Sequence, residues 1–537
     1  MPSRMRSPAA GAALALLIPA VVLGAIGDTL SSFPAPCGAP TGLSYANGRL
    51  WLADWETGKL YEIASETGTV LRALDAPCFR PEGLAFDGKV LYIADYETHR
   101  IFAFDPDAGL TLWSYEAPES APRGLAFGGG SLWLLDDGAD TIYEVVPEDG
   151  TIRNYYKSPH DYGRGLAHDG EHLWAVDRRL DELYALRPSD GKVLFLAKAP
   201  GRFPCGLAFG DGFLWLSDFE TKRIYKLSAD ADVPYRVTGE ILRDFRFRYL
   251  LRNDGQGTVT EAAIHVAVPY DSLENQWIVR PVKWTPEPER FAVDRCGQRI
   301  AVFPFRNVPA GKTVSAGYET RVRLGELHYA FFPEDVGGLE AIPKEIREKG
   351  TAPKSRLQLD EELVRKTAAE VVGGEKNPYW IARNLFDWVI GKLSYDRVGG
   401  WDVPTTLIKR GTGSCSEYAF LYIALARSAG LPARYEGSVV VRGDDASIDD
   451  VYHRWCEVFL PGIGWMPVDP SGGDQEWPAD QVRYFGGLAD RFLITTHGGG
   501  DSEYLGWDYN AHATYVYEGR GTVHEEGYGI WSPAAGE

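Results

Sequence analysis

The sequence predicts a multidomain, mostly β chain: a β-propeller of five blades, then a β-sandwich, then an α+β domain. Three observations carry this. A 41-residue repeat runs through residues 28–230. A stretch of alternating apolar and polar residues with regular turns follows over 235–335. Beyond a polar segment, amphipathic helices lead to a helix that opens on Cys415, and then to two strands ending near His453 and Asp469. At 537 residues the chain is too long for one ordinary core, and three domains are expected.

The repeat is marked by Gly42, Gly83, Gly124, Gly165 and Gly206. In register with them stand Leu50, Leu91, Leu132, Leu173 and Leu214, then Trp51, Tyr92, Trp133, Trp174 and Trp215, then Asp54, Asp95, Asp136, Asp177 and Asp218. Short strands broken by turn residues at this period are the length of a propeller blade. A blade needs four strands, and the last repeat lacks its fourth after Leu227. Residues 27–36 match the missing strand, so the N-terminal segment is expected to complete the last blade and remove the open edges. One aspartate per blade at one position reads as a ligand for turn amides within each blade rather than a metal site. Departures from the repeat, such as His160, Asp161, Tyr162, Arg164, Arg80 and Arg123, fall near one end of the central channel and are the better pointers to binding. The pattern resembles NHL-type and related propeller repeats. Six-bladed rings are more familiar there, so a sixth, degenerate blade is the alternative count.

Residues 235–335 read as an immunoglobulin-like β-sandwich. Phe245, Phe247 and Tyr249 alternate with Arg246 and Arg248, and Asn253-Asp254-Gly255 turns into the next strand. Residues 340–356 are polar and Pro-containing, as expected of a linker. The last domain is assigned to 357–537. It opens with amphipathic helices over 361–372 and 378–390, whose Ala369, Val371, Trp380, Ala382 and Phe386 supply part of its core.

The chemistry is concentrated after residue 412. Ser414 and Glu417 form an S-x-x-E capping box, which places Cys415 at the first helical position. A thiol there meets the positive end of the helix dipole and unpaired N–H groups; both favour the thiolate, and the same amides can hold an oxyanion. His453 lies on a strand, Pro461-Gly462-Ile463-Gly464 is a turn, and the return strand leads to Asp469. A plain four-residue loop would put His453 and Asp469 on opposite faces, so a triad requires an odd or bulged register. In that register His453 deprotonates Cys415 and Asp469 fixes the imidazole tautomer.

These motifs, GTGSCSEYAFLYIALARSAGLPARY and YHRWCEVFLPGIGWMPVDP, resemble the transglutaminase-like superfamily of papain-like folds. The resemblance spans residues 357–471 well and implies a papain-like α+β core with Cys415 as nucleophile, His453 as base and Asp469 as orienter. The superfamily includes cross-linking acyltransferases, peptidases, amidases and inactive members. A sandwich commonly precedes the catalytic domain in its bacterial members. The expected reaction is acyl transfer or hydrolysis at a carboxamide or peptide bond of a protein or peptide substrate, with no cofactor and no metal. Trp401 and Tyr395 are candidate oxyanion donors, and Trp455 a candidate cover for the site. The rival readings are a cysteine peptidase or amidase, a non-catalytic binding scaffold, and a propeller that is itself the enzyme, for example a lactonase.

A net charge of −20 argues against nucleic acid and anionic membranes as partners. The propeller is expected to recruit a protein or glycan. Arg4 and Arg6 precede an apolar run over 9–26, and Ala25-Ile26-Gly27 is a small-x-small cleavage site, so residues 1–27 read as an export signal. A secreted or periplasmic protein is expected, with an uncleaved N-terminal anchor as the lesser alternative and no multi-pass membrane topology. Export permits disulfides among Cys37, Cys78, Cys205, Cys296 and Cys456.

Overall fold

The computed structural model describes residues 24–397, 401–443, 446–519 and 521–534. Each repeat forms one four-stranded antiparallel sheet, and five such sheets make the propeller. The first blade consists of Pro40–Ala46, Arg49–Asp54, Lys59–Ala64 and Val70–Asp75. In the fifth, the N-terminal strand Thr29–Pro34 supplies the outer edge, with Phe33 opposite Ile224 and Pro34 opposite Arg223.

The repeated glycines sit where the five inner strands approach one another. A Cβ on Gly42 would lie 2.1 Å from the Glu82 carbonyl oxygen, and one on Gly83 2.2 Å from that of Arg123. The circle continues from Gly124 to Arg164 and from Gly165 to Cys205, and closes from Gly206 onto the Thr41 oxygen at 2.2 Å. The repeated aspartates bind turn amides: Asp136 accepts from the N–H groups of Ala121, Gly138 and Ala139 at 2.8–2.9 Å.

Most of the assigned leader, residues 1–23, lies outside the described residues. Its end does not. Ile26 is buried among propeller side chains, and the Gly27 N–H donates to the Ser228 carbonyl at 2.9 Å. The small-x-small pattern over 25–27 therefore coincides with a turn packed into the fold, and cleavage after Gly27 would remove the Ile26 contact.

The sandwich contains β1 (Tyr235–Asn253), β2 (Thr258–Ala267) and β3 (Thr313–Tyr329). One sheet carries β1 beside β3; the other carries β2 beside Arg299–Val308. Phe247, Ile264, Phe303 and Tyr318 fill the space between them.

The α+β domain includes α1 (Pro378–Lys392), α2 (Cys415–Ser428), β4 (Ala433–Val440), β5 (His453–Leu460), β6 (Gly464–Val468), α3 (Pro478–Arg483) and β7 (Phe492–His497). The sheet order is β6-β5-β4-β7, and α2 packs across β5 and β4. Every side chain of α2 from Ser416 to Arg427 is buried, which fits a helix that is apolar on nearly all faces.

Two sequence boundaries need correction. The segment 340–356 is not a free linker: it holds a short helix, Lys344–Gly350, and Arg427 donates to the Ala352 carbonyl. The chain beyond 510 does not stay with the α+β domain. Its strands β8 (Ala511–Glu518) and β9 (Val523–Pro533) return to the sandwich, β8 pairing with β2 and β9 with β1. Alternation marks a strand but does not say which sheet edge receives it.

The propeller docks through its fourth blade. The outer strand Val193–Lys198 is almost wholly buried, unlike those of the first three blades. From α1, Tyr379 and Arg383 donate to the Leu194 and Val193 carbonyls at 2.8 Å, and from α3 Arg483 grips Glu182 with two bonds of 2.8 Å. Among the described residues no helix is long and apolar enough to cross a membrane.

Candidate active site

Cys415 is the first residue of α2. The helix start is held by Glu417, a wholly buried carboxylate that accepts from the Ser414 N–H at 2.7 Å, the Asp402 N–H at 3.0 Å and Arg410 at 3.0 Å. One side chain thus fixes both the cysteine turn and the loop that carries Trp401.

The β5–β6 hairpin has the odd register. Leu460 pairs with Gly464 and Phe459 with Trp465, leaving a three-residue loop in which Gly462 has φ 89°. His453 and Asp469 therefore share a face, and His453 Nε2–H donates to Asp469 Oδ2 at 2.7 Å. The other carboxylate oxygen accepts from the Ser471 N–H at 3.1 Å, the Ser471 hydroxyl at 2.8 Å and the Gly472 N–H at 3.0 Å. Cys456, on the opposite pleat, points into α2 and reaches the Ala419 carbonyl.

With Nε2 committed to Asp469, Nδ1 is the nitrogen that faces Cys415. Burial opposes a charge on the thiol, but the hydrogen bond and charge of His453 and the N–H of Arg454 outweigh it and bring Cys415 below its ordinary range. Burial likewise opposes the imidazolium, yet Asp469 and the Cys415 thiolate raise His453 to about 10. Burial works against the Asp469 carboxylate too, and His453, Gly472 and Ser471 hold it below the usual range. All three directions favour a thiolate–imidazolium pair.

Three further candidates are placed as follows. Trp401 and Tyr395 line the cleft above Cys415, Tyr395 half-exposed and paired through its backbone with Gly413. Trp455 does not cover the site. It is 1% exposed and lies beneath the imidazole, its ring 5.9 Å from His453 and 5.1 Å from Phe492. Residues 453 and 455 share a strand face, but 455 is one pleat deeper in the sheet. All six cysteines are free.

The cleft over Cys415 encloses about 400 Å³, and a second arm of about 300 Å³ continues past His453. Tyr395, Arg397, Val451 and Tyr452 line both arms. The far wall belongs to the sandwich: Tyr249 from β1 and Gly527 from β9. Nothing in the sequence signalled this wall, because its strands lie far from the cysteine and carry no motif. Tyr452 (φ 61°) and Trp401 (φ 53°) hold left-handed backbone beside the cleft, a conformation that costs roughly 1–3 kcal/mol each.

Arg454 was also missed. Its guanidinium is wholly buried in a cage of Trp401, Phe420, Tyr435 and Tyr509, with ring centres 4.3–5.0 Å away, and donates to the Trp507 carbonyl at 2.6 Å. The H-R-W sequence contains it, but strand alternation alone suggests only a residue facing away from His453. Arg454→Lys keeps the charge and loses the planar stacking, so it should destabilise the chain by about 1–2 kcal/mol in urea unfolding.

The profile of the transglutaminase-like superfamily matches residues 365–470, a span that holds Cys415, His453 and Asp469. The chain carries a transglutaminase-like domain. A curated relative of this chain, an uncharacterized protein of Haemophilus influenzae, is 27% identical over 134 residues, covering 20% of this chain and 36% of that protein. The chain thus spans about a third of the length of the curated relative it matches. Among solved structures, Myxococcus xanthus glutaminyl cyclase is 16% identical with a TM-score of 0.35, covering 38% of this chain and 97% of its own. A candidate cysteine protease from Cytophaga hutchinsonii is 16% identical with a TM-score of 0.39, covering 55% and 99%. Virginiamycin B lyase from Staphylococcus aureus is 20% identical with a TM-score of 0.26, covering 36% and 68%. The transglutaminase-like domain is here one part of a multidomain chain that also holds a β-propeller and a β-sandwich.

Proposed function

We propose that this protein is an exported thiol acyltransferase or hydrolase acting on carboxamide or peptide bonds of proteins or peptides, with the propeller as its recruitment module. The observation that carries the reading is the His453–Asp469 bond of 2.7 Å with Cys415 on the other side of the imidazole, at the floor of an open cleft. Cys415 Sγ attacks the carbonyl carbon, and the charge that develops on oxygen faces the N-terminus of α2. His453 gives its proton to the departing nitrogen, which leaves as ammonia or an amine. The thioester on Cys415 is then attacked by water or by a second amine, which returns a proton to His453 as the acyl group leaves. The accepting molecule decides between hydrolysis and cross-linking.

The test is intact-mass analysis after brief iodoacetamide treatment at pH 6. A single fast adduct on the wild type, absent from Cys415→Ala and slowed at least ~10-fold in His453→Ala, is expected. Glutamine peptides with and without primary amines then separate transfer from hydrolysis. A Cys415 that labels no faster than the other cysteines would refute the proposal.

A further inference from the structure

The residues that precede the five inner glycines of the propeller are Thr41, Glu82, Arg123, Arg164 and Cys205. They ring one mouth of the central channel around a cavity of about 10 Å³. That is room for one water-sized group. A purely structural plug should satisfy its own charges, and this one does not. Arg164 is 7% exposed, yet its Nε and Nη1 have no hydrogen-bond partner among the described residues. Its ion-pair partner Asp137 stands 3.5 Å away and is shared with Arg123 Nε at 3.3 Å. Glu82 is taken by Arg123 Nη1 at 2.6 Å. Three guanidinium groups, those of Arg123, Arg164 and Arg178, thus face two carboxylates, Glu82 and Asp137. Burial and the neighbouring Arg123 charge pull Arg164 below its ordinary range, the mark of a cation short of anionic company.

The rim continues the same chemistry. Arg80 stacks on Trp55 at 4.1 Å and Arg123 on Tyr96 at 3.7 Å, and Arg178 lies 5.6 Å from Tyr162. On a chain of net charge −20, a mouth with surplus guanidinium groups and aromatic faces is the exception. We infer that this mouth is a receptor for a carboxylate group, one oxygen of which enters the channel and accepts from Arg164 while aromatic rings hold what is attached to it. A guanidinium fork matches a carboxylate in geometry and charge. The inference deepens the recruitment role proposed above and rests on it for its use by the protein, but binding at the mouth does not depend on Cys415 chemistry.

The experiment uses the full chain carrying Cys415→Ala, so that failure at the active site does not enter. Fluorescein-labelled hexaglutamate and hexaglutamine are titrated by anisotropy at low salt, and acetate is titrated by thermal shift. Saturable binding of hexaglutamate, no binding of hexaglutamine, and at least ~10-fold weakening in Arg164→Met assign a peptide-borne carboxylate. Stabilisation by acetate that Arg164→Met abolishes, without peptide binding, assigns a free small carboxylate. Glu82→Gln frees Arg123 and should tighten either ligand several-fold, a readout that survives if Arg164→Met folds poorly. Equal response of wild type and Arg164→Met to both probes, binding of hexaglutamine that matches hexaglutamate, or an unchanged affinity in Glu82→Gln would overturn the inference.

Discussion

Asp469→Asn should lower the rate of thioester formation by on the order of 10⁴-fold while leaving the fold in place. The reason is a tautomer. Asp469 Oδ1 is held by Ser471 and Gly472, all donors, so an asparagine must put its oxygen there and turn its NH₂ group toward His453 Nε2. Nε2 would then have to accept, the ring proton would move to Nδ1, and the nitrogen facing Cys415 could no longer take a proton. In the wild type, kcat/KM should rise as Cys415 ionises below its ordinary value of 9.0 and fall as the imidazolium loses its proton near about 10. The sign follows from the required pair: thiolate for attack, imidazolium for the leaving amine. In Asp469→Asn the acid limb should move up toward the ordinary thiol value. Alkylation rate against pH measures this directly, and an unshifted limb would show that Asp469 does not orient His453.

The second large effect is on the propeller. Gly83→Ala should destabilise it by about 3 kcal/mol or more, because the new Cβ meets the Arg123 carbonyl oxygen at 2.2 Å and the Leu125 nitrogen at 2.8 Å. Both contacts are backbone of the neighbouring inner strand, which cannot move without opening the ring. Gly391→Ala is the matched control. It lies in α1 with nothing within 4 Å of the added Cβ, and should be stabilising by up to about 1 kcal/mol. Thermal and urea unfolding of the full chain read both. Equal stability of the two variants would mean that the neighbouring inner strand gives way to a methyl group and that the repeated glycine is not a packing requirement.

The glycine period, the missing fourth strand after Leu227 and the match at residues 27–36 were enough to place five blades and the strand that closes them. A repeat states its own fold, since each unit buries its face only against the next. The Cys415 helix start was equally plain, because the Ser414–Glu417 capping box marks it. The hairpin was half legible: the sequence required an odd register for a triad but did not choose it, and the three-residue loop from Pro461 to Ile463 does. Less legible was everything that depends on distant pairing. The return of β8 and β9 to the sandwich, the wall that Tyr249 and Gly527 give the cleft, and the burial of Trp455 all follow from which strand neighbours which. Local pattern does not carry that choice. Arg454 shows a different limit: an arginine on a strand reads as solvent-facing until its aromatic cage is seen.

The return of β9 to β1 has a consequence for the order of synthesis. A ribosome delivers β1 some 280 residues before its partner, so the central strand of the sandwich must wait with one edge unpaired while the whole transglutaminase-like domain is made. Until residues 523–533 emerge, the part of the far wall that Gly527 supplies is missing, and Tyr249 stands on a strand whose neighbour has not yet been made. The cleft above Cys415 is thus completed last, and a chain cut short by premature termination or proteolysis near residue 510 would hold Cys415, His453 and Asp469 without the strand that closes the cleft on its far side.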